Sequence, residues 1–264
     1  MRKLLLASSA LVFAGSAYAA DVRIPTKAPV PVAAPFSWNG CYVGAHGGYG
    51  WGQNRLSDPQ LGIPDPLFGF PTFGIAPAGA TLDIDTRGWL AGGQAGCNIQ
   101  GGSWVLGFEV DAAWANIEGS IADPFFANKN GDPQLLGVET KALATATGRV
   151  GYAFDRFLVY GKGGAAWARN DYDAILFNQV AALFAVAPSI PFSASETRIG
   201  WTVGAGIEYA FWDRWSVKVE YNHYEFEDRR ISLVSAGGAI LPIDVDQSID
   251  TVKVGVNYRL WSPL

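Results

Sequence analysis

Between Leu143 and Ala168 apolar and polar positions alternate with a period of two, and the pattern turns back on itself at Asp155-Arg156. Before the turn Ala146, Gly148, Val150, Tyr152 and Phe154 share one face, with Thr145, Thr147, Arg149 and Gly151 on the other. After it Phe157, Val159, Gly161, Gly163, Ala165 and Trp167 alternate with Leu158, Tyr160, Lys162 and Gly164. Such a pattern around a two-residue turn predicts a β-hairpin. Setting Phe154 opposite Phe157 places Arg149 directly across from Lys162. Like charges opposed on one face repel unless acids from other strands meet them. A closed, charge-balanced interior is therefore expected.

The same alternation predicts six more strands. The first runs from about Phe36 to Trp51, the second from Ile84 to Gln100, and the third from Trp104 to Trp114 after a Gly101-Gly102 turn suited to positive φ. The sixth spans Arg198 to Phe211, and the turn Trp212-Asp213-Arg214 leads into a seventh from Trp215 to Asn222. The last runs from Thr251 to Leu260. Long connections are expected at Gly52–Asp83, Glu118–Gly137, Asp171–Glu196 and Glu227–Gln247, with a short helix near Asn178 to Val186. Long and very short connections thus alternate. The fold class is all-β, an eight-stranded antiparallel up-and-down barrel with four long extracellular loops and three short periplasmic turns.

The two faces decide what surrounds the barrel. A soluble barrel turns its apolar face inward, whereas here the polar face carries large ions among glycines and the other carries bulky aromatics. Tyr152, Phe154, Phe157, Tyr209, Phe211 and Trp215 cluster beside the short turns as a periplasmic aromatic girdle. Trp51, Trp114, Trp167 and Trp201 lie at the opposite ends. Counting up from the turns, Glu109, Asp111, Arg149, Lys162, Glu208, Lys218, Glu220 and Lys253 fall within one slab of the interior. Glu208 is expected to face Lys218 across its hairpin. An eight-stranded interior is only wide enough to be filled by side chains. The slab reads as a salt-bridged plug, with inner-face glycines leaving gaps for water. A narrow channel for small solutes is the alternative.

Composition narrows the picture. Charged residues are 16% of the 264, against roughly 25% in soluble domains. No apolar run is long enough for a membrane helix. The net charge of −5, without a Lys/Arg cluster, leaves no footprint for nucleic acid. Arg2-Lys3, the apolar run Leu4 to Ala14 and Ala17-Tyr18-Ala19 predict a signal peptide over residues 1–19. A proline-rich periplasmic linker is expected over 20–35, and the barrel over 36–264.

Candidate chemistry is sparse. Cys41 and Cys97, the two cysteines, fall on the same outward face of neighbouring strands. A cross-strand disulfide is expected, with two buried thiols as the other reading. His46 faces the interior, within reach of an acid, and His223 lies toward the upper rim. Small hydrolytic barrels of the lipid A deacylase kind carry a His-x-Ser pair on a strand, whereas here His46 precedes Gly47-Gly48 and His223 precedes Tyr224-Glu225. No enzyme activity, metal or cofactor is expected. The apolar stretches Leu61–Ala80 and Ile175–Phe192 read as loops packed together above the mouth, or as a sticky surface for a partner.

The opening Trp38-Asn39-Gly40-Cys41-Tyr42-Val43-Gly44, the segment Gly148-Arg149-Val150-Gly151-Tyr152-Ala153-Phe154-Asp155-Arg156, and Val254-Gly255-Val256-Asn257-Tyr258-Arg259 resemble a known family. The chain is similar, from about Phe36 to Leu260, to the small OmpA-like outer-membrane barrels of Gram-negative bacteria, also called outer-membrane immunogenic or porin-family proteins. The resemblance implies delivery to the cell outer membrane by the Sec and barrel-assembly machineries, and contact with outer-membrane lipid and lipopolysaccharide. It also implies a surface antigen that supports envelope integrity, with adhesion to a host or surface partner in some members. Two features depart from it. Such barrels end in an aromatic residue, whereas this chain ends Leu260-Trp261-Ser262-Pro263-Leu264, and no peptidoglycan-binding domain is expected.

Overall fold

The computed structural model describes residues 36–57, 63–64, 71–73, 81–127, 133–177 and 189–261. The expected signal peptide, linker and short helix lie outside these residues. Eight strands form the barrel: β1 (Gly40–Ser57), β2 (Thr81–Gly101), β3 (Trp104–Ala127), β4 (Pro133–Phe154), β5 (Phe157–Phe177), β6 (Ser189–Ala210), β7 (Trp215–Ser235) and β8 (Ile240–Trp261). Each pairs antiparallel with its sequence neighbours, and β1 closes the ring against β8. Closure removes the strand edges, whose unpaired backbone groups hydrocarbon cannot satisfy. A short ladder also joins Ile63–Pro64 to Pro71–Phe73.

Aromatic pairs mark the lipid band. Trp104 and Trp114 on β3, Phe157 and Trp167 on β5, and Trp201 on β6 with Phe211 just past its end face outward, each pair ten positions apart. At about 3.3 Å of rise per residue and a tilt near 40°, ten positions span about 25 Å, the height of an outer-membrane apolar band. The six girdle residues predicted beside the turns all point outward, joined by Trp104 and Tyr258. Their rings interlock, with centroids 4.8 Å apart for Tyr152–Phe154 and 4.5 Å for Phe157–Tyr209.

The strands are 18 to 24 residues long, about twice what a tilted strand needs to span the bilayer. The surplus overturns the expected loop boundaries. Most of Asp171–Glu196 belongs to β5 and β6. Glu227–Gln247 is no long loop but the top of the β7–β8 hairpin, turning tightly through residues 236–239 with Gly238 at φ 82°. The cause is an exchange of polarity between faces. Above the lipid band the inward positions become apolar: Leu56, Leu82, Ile84, Leu136, Val138, Tyr172, Leu176, Phe192, Ile231, Leu233, Leu241, Ile243 and Val245 form one buried cluster. Many outward positions there are charged, as in the Arg55–Asp83 pair at 3.0 Å. Arg230 donates to both oxygens of the extracellular Asp244, at 2.8 and 3.0 Å, and holds that carboxyl below its usual range. The protein is a membrane barrel below and a water-soluble barrel above, in one continuous wall.

Irregular pairing marks the change of medium. The register slips between Trp114 and Ile117, Thr140 and Ala142, Ser193 and Gly200, and Val245 and Gln247, all just above the upper aromatics. On β4 the buried positions pass from even (Leu136, Val138, Thr140) to odd (Leu143, Thr145, Thr147, Arg149) across the slip. One extra residue in a strand re-aims every side chain beyond it.

Candidate functional site

The eight ions predicted for the interior come together in one layer, none more than 5% exposed. Glu109 on β3 is its centre. It accepts from Lys162 Nζ at 3.0 Å, from Lys218 Nζ at 3.1 Å and from the Tyr42 hydroxyl at 2.7 Å, with Arg149 at 3.8 Å. Glu220 accepts from Lys162 at 2.6 Å, Lys218 at 3.2 Å and the Tyr160 hydroxyl at 2.8 Å. Arg149 reaches Glu208 at 3.4 Å, and Lys253 reaches Asp111 at 2.9 Å. Four acids thus meet four bases. The apposition of Arg149 and Lys162 is present in the register, and Glu109 and Glu220 neutralise it from β3 and β7.

One expected pair does not form. Glu208 and Lys218 stand directly opposite each other, yet the Lys218 ammonium goes to Glu109 and Glu220. A lysine stem is long enough to overshoot its immediate neighbour and reach the barrel interior, where Glu109 from the facing wall meets Glu220 of the same strand. Glu208 instead accepts from Ser216 and from Asn257 Nδ2. Asn257 Oδ1 accepts from Gln94, whose own oxygen lies 2.5 Å from His46 Nδ1, and His46 lies 3.1 Å from Asp111. His46 therefore completes a chain of polar contacts from Glu208 to Asp111. The sequence reading passed over Tyr42, Tyr160, Gln94 and Asn257. Their signal was present, since each falls on the same inner-face alternation as the ions.

Several inner glycines make room for large side chains of neighbouring and facing strands. A Cβ on Gly206 would lie 2.6 Å from the Tyr160 hydroxyl, and one on Gly50 would lie 2.5 Å from Ile117. Gly96 lies against Tyr42 and Gly44 against Asn257 in the same way. Above the ions sits an apolar layer of Leu90, Ile117, Leu143, Tyr224, Phe226 and Ile249. A polar belt of Thr140, Asn170, Gln247 and Arg198 follows, beneath the upper apolar cluster. Arg198 donates to the carbonyls of Glu227 and Val245, at 2.6 and 2.8 Å, at the register slip where Glu227 is skipped in the β7–β8 pairing.

Outside the barrel, Cys41 and Cys97 stand opposite each other on β1 and β2 and form a disulfide, with Cα atoms 4.0 Å apart. Closing a loop over a separation of 56 residues stabilises by about 4 kcal/mol in the chain-entropy account. His223 lies on the outer wall near the upper aromatics, bonded to Asp250 at 2.9 Å. Among the described residues no group of three or more His, Cys, Asp or Glu side chains is placed to hold a metal.

A closed eight-stranded barrel with an outward apolar band, two aromatic girdles and an ionic interior defines a transmembrane barrel of the outer membrane. The chain matches the outer membrane protein beta-barrel domain family over residues 7–259 and belongs to it. It is 33% identical over 266 residues to the 31 kDa outer-membrane immunogenic protein of Brucella melitensis biotype 1, covering 98% of this chain and 100% of that protein. It is 27% identical over 267 residues to the 25 kDa outer-membrane immunogenic protein of Brucella canis, covering 98% of each. Among solved structures, the outer membrane protease OmpT from Escherichia coli aligns with 85% of this chain and 98% of its own, at 10% identity and a TM-score of 0.48. The protein resides in the outer membrane of a Gram-negative cell.

Proposed function

We propose that the protein is a structural barrel that contributes to envelope integrity and raises a rigid β-stalk above the bilayer, without conducting solutes and without catalysis. The stacked interior carries this reading: ions, apolar side chains, polar side chains and apolar side chains again fill successive levels. The lipid band would contact outer-membrane lipid, and the charged collar would stand at the height of lipopolysaccharide head groups. Sec and the barrel-assembly machinery would deliver the chain. Planar bilayers test the claim. The folded protein should add no steady conductance, and sustained open steps would replace the structural reading with the narrow channel.

A surface-binding role is the second reading. It is favoured by outward apolar residues at the top of the stalk, where Leu135 stands opposite Ile175 and Val234 opposite Ile240, each at least 45% exposed. Replacing Leu135 and Ile175 by serine should reduce attachment of expressing cells to an epithelial monolayer if the tip is adhesive. Attachment is unchanged if the stalk only supports the envelope.

A further inference from the structure

Four residues on the N-terminal side of β1 do not continue the wall. Gly40 has φ 119°, in the region that favours glycine, and there the chain leaves the strand direction and passes beneath the periplasmic mouth. Trp38 is 2% exposed and packs with Val105, Ala153, Leu158, Tyr160 and Ala210, which come from β3, β4, β5 and β6. Those strands form the wall facing β1. The indole Nε1 donates to the carbonyl of Asp155 at 3.1 Å, in the β4–β5 turn on the opposite side of the ring.

The crossing is tied at several points. Arg259 on β8 donates to the Ser37 carbonyl and stacks on Phe36, its guanidinium carbon 4.5 Å from the ring centroid. Arg156 covers the same ring at 5.3 Å. The Trp38 amide donates to Gln100 Oε1, and the Gln100 amide donates back to Asn39 Oδ1, both at 2.6 Å. Directly above lies a cavity of about 10 Å³, lined in part by Trp38, Tyr42, Asn98, Glu208, Ser216 and Asn257. It has room for about one water.

We propose that Phe36–Asn39 is a periplasmic stopper: a strap of the chain's own that spans the lower mouth, shields the Glu208–Arg149 pair from periplasmic water, and can be released without opening the rest of the barrel. Asp155 and Arg259 hold its Phe36–Ser37 end from opposite walls, and Gln100 holds the Trp38–Asn39 end. Only the one-water cavity separates it from Glu208. The apolar layer around Leu90 and Phe226 closes the interior independently, so release would wet the ions and leave the levels above dry.

A cysteine reporter tests this. In detergent-folded protein with its disulfide intact, Ser216→Cys places a thiol beneath the ion layer, and Ala166→Cys places one in the apolar layer above. A water-soluble maleimide should label the lower thiol slowly, and at least about tenfold faster once Trp38→Gly removes the indole, as local opening without global unfolding requires. The upper thiol should remain protected in both chains. Equal rates at position 216, or a matching rise at position 166, would overturn the proposal. If Trp38→Gly loses its compact gel migration, Phe36→Ala with Arg259→Gln cuts the ties while keeping the indole, and is judged by the same two rates.

Discussion

Glu109→Ala is expected to destabilise the barrel by about 3–5 kcal/mol, the loss that follows when one partner of a buried ion pair is removed. The carboxylate accepts from Lys162, Lys218 and Tyr42, so its loss leaves three donors short of an acceptor and the layer with one uncompensated positive charge. Glu220 remains within 3.2 Å of both lysines but already serves them and Tyr160. Charge balance, and not any single contact, is what the layer supplies. The double variant Glu109→Ala with Lys218→Met should therefore recover a large part of the loss, because it restores three acids against three bases. Asp244→Ala, which breaks an exposed pair in the collar, should stay within about 0.5 kcal/mol. Urea midpoints of the compact, unheated gel band measure all three. A Glu109→Ala loss below about 1 kcal/mol would mean that water reaches the layer and screens it.

The sequence made the membrane part of this molecule legible because one rule holds there without interruption. Between the girdles the outward positions are apolar or glycine, while the ions and amides fall inward. The strand identities, the short turns, the girdle aromatics and the eight interior ions follow from counting along it. Two features escaped. The upper strands keep the alternation but reverse its sense, so Ile231, Leu233, Ile243 and Val245 face inward where a lipid-facing reading expects apolar residues outside. Read under the membrane rule, such segments resemble loops. The slips near Thr140 and Gln247 compound this by changing which residues share a face, and no residue type marks them. The partners of each ion were illegible for another reason. Register fixes which Cα atoms stand opposite, whereas long side chains meet near the axis, as Lys218 of β7 meets Glu109 of β3.

The reversal of the faces predicts that one substitution has opposite consequences at different heights of a single strand. Val254 of β8 faces outward, 53% exposed, four positions from Tyr258 of the lower girdle and four from Asp250. An arginine there lies near the bilayer midplane, and Val254→Arg should cost about 2–4 kcal/mol. Ser248 lies on the same face six positions higher, opposite Glu225. Ser248→Arg gains a carboxylate neighbour in water and should change stability by no more than about 0.5 kcal/mol. Ile243, 1% exposed, points inward in the upper cluster, and Ile243→Arg buries a charge among apolar side chains. Its loss should match or exceed that of Val254→Arg, although residue 243 lies outside the hydrocarbon. Denaturation of the three variants in the same lipid ranks them, and adding 0.5 M salt discriminates further. Screening acts on the exposed Ser248→Arg contact and leaves the two desolvated arginines unrelieved. A small effect at Val254 with a large one at Ser248 would move the bilayer about 15 Å up the wall, onto the collar, since six positions of a tilted strand span that distance.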